Sequence, residues 1–178
     1  MFEKPDALVV VLADGADGTS RGASAAQAIV DAVAAADTDG CDLLGVLDGD
    51  PKRLGQGQAT AVIISPSASG IAGASVGDSG AWLVAGGNVH ELTAGQVRKP
   101  LVGDGCMPVA FSAGPLGPQT LLVASDRLFN YAKRADIVTI VNGPDLEAAA
   151  AALVQLVRLP SGNLADDVSV VLARPRMR

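Results

Sequence analysis

Three aspartates, Asp14, Asp126 and Asp166, stand at the ends of apolar runs rich in valine and leucine. Asp14 closes the run 7–13, Asp126 follows 120–124, and Asp166 comes just before 168–173. Runs of that length and composition are expected to be buried strands, which would hold each carboxylate at the rim of a sheet. Carboxylates gathered with carbonyls and water suit hard divalent cations. One histidine and two separated cysteines make a zinc cage a poor expectation. Asp also caps helices and turns, so each residue taken singly has a plain structural reading as a loop-boundary acid.

The elements that must position these acids can be read along the chain. In the stretch 22–36, Ala26, Ile29, Val30 and Val33 recur at helical spacing and predict an amphipathic helix. Residues 37–57 mix Asp, Gly, Pro and Lys around the apolar piece 43–47 and read as a connection with one brief element. Short runs at 60–65, 70–76, 81–84 and 89–92, separated by Ser-Gly, Asp-Ser-Gly and Gly-Gly-Asn, predict an antiparallel meander. The segment 93–117 reads as loop, with a short helical piece expected after Asp126. Pro144-Asp145-Leu146-Glu147 looks like a helix start, with Leu146, Ala150, Leu153, Val154 and Val157 on one face. Strands in runs with helices between them suggest sheets covered by helices.

Bulk properties restrict the partners. A chain of 178 residues fits one domain, 1–178, and with 49% hydrophobic residues it can bury a sizeable core. The net charge of -6 argues against nucleic acid, whose phosphates repel an acidic surface. The basic tail Arg174-Pro175-Arg176-Met177-Arg178 reads as a solvated end. Cys41 and Cys106 are expected to be free thiols. No apolar run approaches the roughly 20 residues that span a bilayer, and the start lacks a signal-peptide pattern, so no membrane is expected and the cytoplasm is the expected location.

Four segments, in order, resemble the motifs of the PP2C-like (PPM) metal-dependent protein phosphatases. Leu12-Ala13-Asp14-Gly15-Ala16-Asp17-Gly18 is similar to D-G-x-G-G, and Gly77-Asp78-Ser79-Gly80-Ala81-Trp82 to G-D-S-R-x-Y. Ser125-Asp126-Arg127-Leu128-Phe129 resembles S-D-G-L-F, and Asp166-Asp167-Val168-Ser169-Val170-Val171 resembles D-N-x-T-x-V. The resemblance implies an α+β fold, an αββα sandwich of two mainly antiparallel sheets flanked by helices, here N-terminally truncated relative to the family. It implies two Mn2+ or Mg2+ ions, with Asp14 bridging them, the Gly15 carbonyl on one, and Asp126 with Asp166 on the other. Asp78 would serve a weaker third ion. The implied activity is hydrolysis of phosphoserine or phosphothreonine proteins by a hydroxide between two metals, with Asp14, Asp126 and Asp166 as its catalytic carboxylates.

The sequence also departs from the pattern. Thirteen residues precede Asp14, leaving no room for the family's early strands with their phosphate-binding arginine. Arg21 and Arg127 are the nearest substitutes for substrate binding. Arg127 stands where the family has glycine, and could clamp phosphate, swing outward, or pair with Asp126 or Asp166 in competition with a metal. Asp17 either reinforces metal binding or caps the following helix. His90 reads as an exposed or satisfied strand residue. Lys99-Pro100-Leu101-Val102-Gly103-Asp104-Gly105 reads as a substrate-side loop. Loss of the first strands would expose a sheet edge, so the chain is expected to be a monomer, or a dimer through that edge. The alternative to an enzyme is a pseudophosphatase, the same sandwich kept as a binding or regulatory module.

Overall fold

The computed structural model describes residues 1–4, 7–16, 20–36, 40–164 and 166–175. In chain order the first half holds β1 (Phe2–Lys4), β2 (Ala7–Gly15), α1 (Ser20–Ala35), α2 (Gly40–Asp48), β3 (Ala59–Pro66), β4 (Ile71–Val76), β5 (Gly80–Ala85) and β6 (Asn88–Glu91). The second half holds β7 (Val109–Ala113), β8 (Thr120–Ala124), α3 (Asp126–Tyr131), α4 (Arg134–Val141), α5 (Leu146–Leu156) and β9 (Val170–Ala173). These elements form two compact units, Met1–Ser79 with Thr93–Pro115, and Gly80–Leu92 with Leu116–Arg178.

The first unit is built on a five-stranded antiparallel sheet in the order β1-β2-β3-β4-β7. Strand alternation sends Val9, Val11, Ala61, Ile63, Ala74 and Val76 to the face covered by the helices. Helix α1 meets them with Ala25, Ile29, Ala32 and Val33, and α2 with Leu43, Leu44 and Leu47. Val10, Leu12, Val62 and Ile64 on the opposite face are buried as well, which is why β2 and β3 read as unbroken apolar runs. Truncating a fully buried side chain such as Leu44 would cost about 2–5 kcal/mol.

The second unit has a four-stranded antiparallel sheet, β6-β5-β8-β9. Trp82, Val84, Leu122 and Ala124 pack with Leu128, Ile137, Val141, Leu153 and Val157 from the helical side. Trp82 and Phe129 lie with ring centroids 4.6 Å apart, and the Arg134 guanidinium stands 4.9 Å from the Trp82 ring. Helix α5 starts at Leu146, two residues later than the Pro144 signal suggests. Asp145 is its cap, accepting from the Glu147 and Ala148 amides.

Several elements differ from the expectations. The meander breaks after β4, because β4 and β5 belong to different sheets. The break falls at Gly77, whose φ of 93° favours glycine, and period-two alternation carries no information on which strands a turn joins. The apolar piece at 43–47 is the core of a full helix, α2, and the expected loop 93–117 contains β7. Beyond α3 runs a further helix, α4. Arg174 is not a solvated tail residue. Its guanidinium donates to the Thr120 hydroxyl and to the Val141 and Gly143 carbonyls, fastening the end of β9 to β8 and to the turn after α4. Among the described residues, no helix is long and apolar enough to cross a membrane.

Candidate metal and phosphate site

Asp14 and Gly15 occupy the last positions of β2, opposite Thr60 and Ala59 of β3. Their backbone is held by close approach. A Cβ on Gly15 would overlap the Gly22 carbonyl, one on Gly22 would overlap the Ala16 carbonyl, and one on Gly57 would overlap the Arg21 carbonyl. The end of β2, the first turn of α1 and the entry to β3 therefore pack backbone against backbone, and the Ala16 amide donates to the Gln58 carbonyl at 2.9 Å. Arg21 is exposed at the start of α1 and lines an open hollow of about 400 Å³ with Ser20, Gln56 and Gln58. Asp17 lies outside the described residues.

Asp78 sits in the turn after β4, in the same unit. Its Oδ2 accepts from Arg98 Nε at 2.6 Å. The turn is fixed on its other side by the buried Ser79 hydroxyl, 2.6 Å from that of Thr60, and by the Gln96 amide donating to the Ser79 carbonyl. Through Thr60, the strand position opposite Asp14 is tied to the residue next to Asp78.

Asp126 and Asp166 lie at one end of the second unit's sheet. The register Ala124↔Val170 sets the end of β8 beside the approach to β9. Ser125, buried, donates through its amide to the Ser169 carbonyl, and its hydroxyl accepts from the Ser169 amide. Asp126 opens α3, where its Oδ2 accepts from Asn130 at 2.9 Å. Arg127 Nη2 donates to Asp166 Oδ2 at 3.1 Å, with the guanidinium 4.4 Å from the Tyr131 ring. Of the three roles open to Arg127, this geometry is the pairing with Asp166. His90 is exposed on β6.

Asp48 was not singled out by sequence. One of its oxygens accepts from the amides of Gly103, Asp104 and Gly105 at 2.7, 3.2 and 3.1 Å. Burial alone would raise its carboxyl, but the backbone of Cys106, Gly103 and Gly105 and the Cys106 thiol outweigh that and hold it below the usual range. The Cys106 thiol is pushed up to about 12, by burial first, then by the Asp48 charge and its hydrogen bond to that carboxylate. No spacing rule links residue 48 to a loop 55 residues further on.

Asp14 belongs to the first unit and Asp126 with Asp166 to the second. Among the described residues, no group of three or more His, Cys, Asp or Glu side chains is placed to hold a metal ion. Within each unit the donor types suit a hard divalent cation: a carboxylate and a strand-end carbonyl in the first, two carboxylates in the second, with neither imidazole nor thiolate among them. Asp126 accepts from Asn130, and Asp166 from Arg127 and from the Asp167 amide, while an ionised carboxylate offers about four lone-pair sites.

No protein-family model matches the chain, and no curated protein matches it in sequence. Solved structures do match, and they define the architecture: the two sheets and their helices are those of the PP2C-like αββα fold, α+β with mainly antiparallel strands. The chain is similar to the Mycobacterium tuberculosis serine/threonine phosphatase PstP/Ppp, with a TM-score of 0.76 at 17% identity over 98% of this chain and 94% of that one. It is similar to the S. agalactiae serine/threonine phosphatase, with a TM-score of 0.77 at 22% identity over 92% and 86%. The catalytic domain of PstP in complex with two manganese ions matches with a TM-score of 0.76 at 18% identity over 93% and 86%.

Proposed function

We propose that residues 1–178 form a single metal-dependent phosphatase domain that hydrolyses phosphoserine and phosphothreonine in proteins. The observation that carries this reading is the shared fold, together with the positions of the carboxylates in it: Asp14 at the end of β2, Asp126 at the end of β8, and Asp166 before β9. Asp14, the Gly15 carbonyl, Asp126 and Asp166 would hold two Mn2+ or Mg2+ ions, with Asp78 available to a weaker third. Bound there, such ions would supply positive charge to phosphoryl oxygens and make water a better nucleophile. The protein's own part is to keep Asp14 and Gly15 on a backbone locked by Gly22 and Gly57, and to present cations to the phosphate. Arg21, exposed beside the Asp14 end of β2, is the first candidate for that contact, and Arg127 the second.

Metal-stripped protein given Mn2+ or Mg2+ should hydrolyse p-nitrophenyl phosphate and phosphothreonine peptides, and Asp126→Ala should abolish both activities. A wild-type chain silent with every divalent metal sinks the enzyme reading. One observation favours the second reading, a pseudophosphatase acting as a binding module: Arg127 and Arg98 already neutralise Asp166 and Asp78 from within the chain. Activity appearing only in Arg127→Gly would support it.

The unbridged Cys41 and Cys106 support a reducing compartment, the cytoplasm. The edge strands β1, β7, β6 and β9 hold 3, 5, 4 and 4 residues. Such short edges are poor templates for a second chain, which supports a monomer.

A further inference from the structure

Asp48 is the last residue of α2, where the helix dipole disfavours a carboxylate. What holds it there is a nest of amides from 103–105, shaped by two positive-φ glycines, Gly103 at 95° and Gly105 at 79°. The loop so hooked lies directly behind the first unit's candidate ligands. Val102 exchanges both backbone hydrogen bonds with Ala59, at 3.1 and 3.2 Å, and Ala59 is the residue paired with Gly15. At Gly103 a Cβ would come 2.6 Å from the Gly57 carbonyl oxygen, and Gly57 abuts Arg21 and Gly22. At Gly77, beside Asp78, a Cβ would come 3.1 Å from the Leu101 side chain. One loop thus backs the strand end carrying Asp14 and Gly15 and the turn carrying Asp78. Its anchor to α2 is the Asp48 carboxylate.

We propose that Asp48 is a positioning residue for the carboxylate site, seating the loop 101–105 against Gly57, Ala59 and Gly77 so that Asp14, Gly15 and Asp78 are held in place. The proposal rests on the metal-dependent reading given above. It assigns Asp48 no contact with substrate or metal. Three amides fix the Asp48 oxygen and, through it, the loop.

The test uses the full chain and three variants, Asp48→Ala, Asp48→Asn and Gly105→Ala. Asn keeps an oxygen acceptor for the nest. Gly105→Ala strains the nest from the loop side while its Cβ meets nothing within 4 Å. Amide hydrogen exchange at 102–105 in metal-free protein reads the latch itself, and calorimetric titration with Mn2+ reads its effect on the site. Exchange should speed up in Asp48→Ala and Gly105→Ala. Mn2+ affinity should fall about tenfold in both, as it does when groups supporting metal ligands are removed. Asp48→Asn should recover most of that affinity, and the double variant Asp48→Ala/Gly105→Ala should lose little more than either single one. With p-nitrophenyl phosphate, kcat at saturating Mn2+ should change less than the Mn2+ concentration required. If wild type binds Mn2+ and Asp48→Ala binds it within twofold of wild type despite faster exchange, the latch is local and the proposal is wrong. If wild type binds no Mn2+, the metal-dependent reading fails first and the proposal with it. Should Asp48→Ala fail to fold, Gly105→Ala and Asp48→Asn decide the matter by the same two measurements.

Discussion

Arg127 lies between Tyr131 and Asp166, with Nη2 3.1 Å from the Asp166 carboxylate and the guanidinium 4.4 Å from the tyrosine ring. Its side chain is 15% exposed, against 66% for that of Asp166. The cation is thus fixed by packing, whereas the anion faces water. A metal ion sharing Asp166 must work against this positive charge, and the half-solvated pair limits the effect to a modest one.

Replacing Arg127 by methionine, which keeps the stem on Tyr131, is expected to tighten Mn2+ binding by up to about fivefold, the worth of a partly exposed ion pair. Calorimetric titration of the metal-free proteins checks this. Weaker binding in Arg127→Met would mean that Arg127 orients Asp166 for the ion instead of competing with it.

The buried hydroxyls of Thr60 and Ser79 satisfy each other at 2.6 Å. Ser79→Ala strands the Thr60 hydroxyl and is expected to cost about 1–3 kcal/mol in urea denaturation. Thr60→Val combined with Ser79→Ala should cost less than the sum of the two single changes, since neither hydroxyl is then left alone. Full additivity would show that the pair contributes nothing as a pair.

Two glycines in neighbouring helices should respond in opposite directions. Gly22→Ala drives a methyl into the Ala16 backbone and is expected to destabilise by about 1–3 kcal/mol, with loss of Mn2+ binding because Gly15 must shift. Gly45, exposed in α2, would place its Cβ in open space, and Gly45→Ala should stabilise by about 0.5–1 kcal/mol. Thermal unfolding of both variants against wild type measures the contrast.

The Cys106 thiol keeps its proton in the native state up to about 12, whereas the unfolded chain sheds it near 9.0. Its contribution to stability is present in full below the unfolded value and is lost as the pH rises through the native one. Between pH 8 and 10.5 wild type should therefore lose more stability than Cys106→Ala, by chemical denaturation at each pH. At pH 8 in the native protein, peptide mapping after iodoacetamide should find Cys106 alkylated slowly, because the thiolate is the nucleophile.

What could be read from the sequence was whatever depends on neighbours in the chain. The strand ends bearing Asp14 and Asp126, and the stripe of α1 through Ile29 and Val33, are local patterns, and the structure has them where expected. Helix α2 was hidden because Gly40 and Gly45 weaken its propensity, and its formation depends on Leu43, Leu44 and Leu47 finding the sheet. Strand β7 was hidden because alternate residues at 109–113 are exposed, so it shows no buried run and exists by pairing with β4. Pairings across long separations, such as Asp48 with Gly103 and Arg174 with Val141, left no mark in the spacing of the chain, and that of Arg127 with Asp166 was one of three roles the sequence left open.

The division into units has a consequence for synthesis. The polypeptide leaves the first unit at Ser79, re-enters it at Thr93 and leaves again at Pro115. Translated from the N-terminus, the β5–β6 hairpin emerges before β8 exists to pair with β5, and it waits while β7 completes the earlier sheet. When the chain has emerged from the ribosome only as far as Pro115, it carries Trp82, Leu83 and Val84 on a hairpin without its β8 partner. An isolated hairpin of that kind is marginal in water, so this interval of translation is when the nascent chain most needs a chaperone.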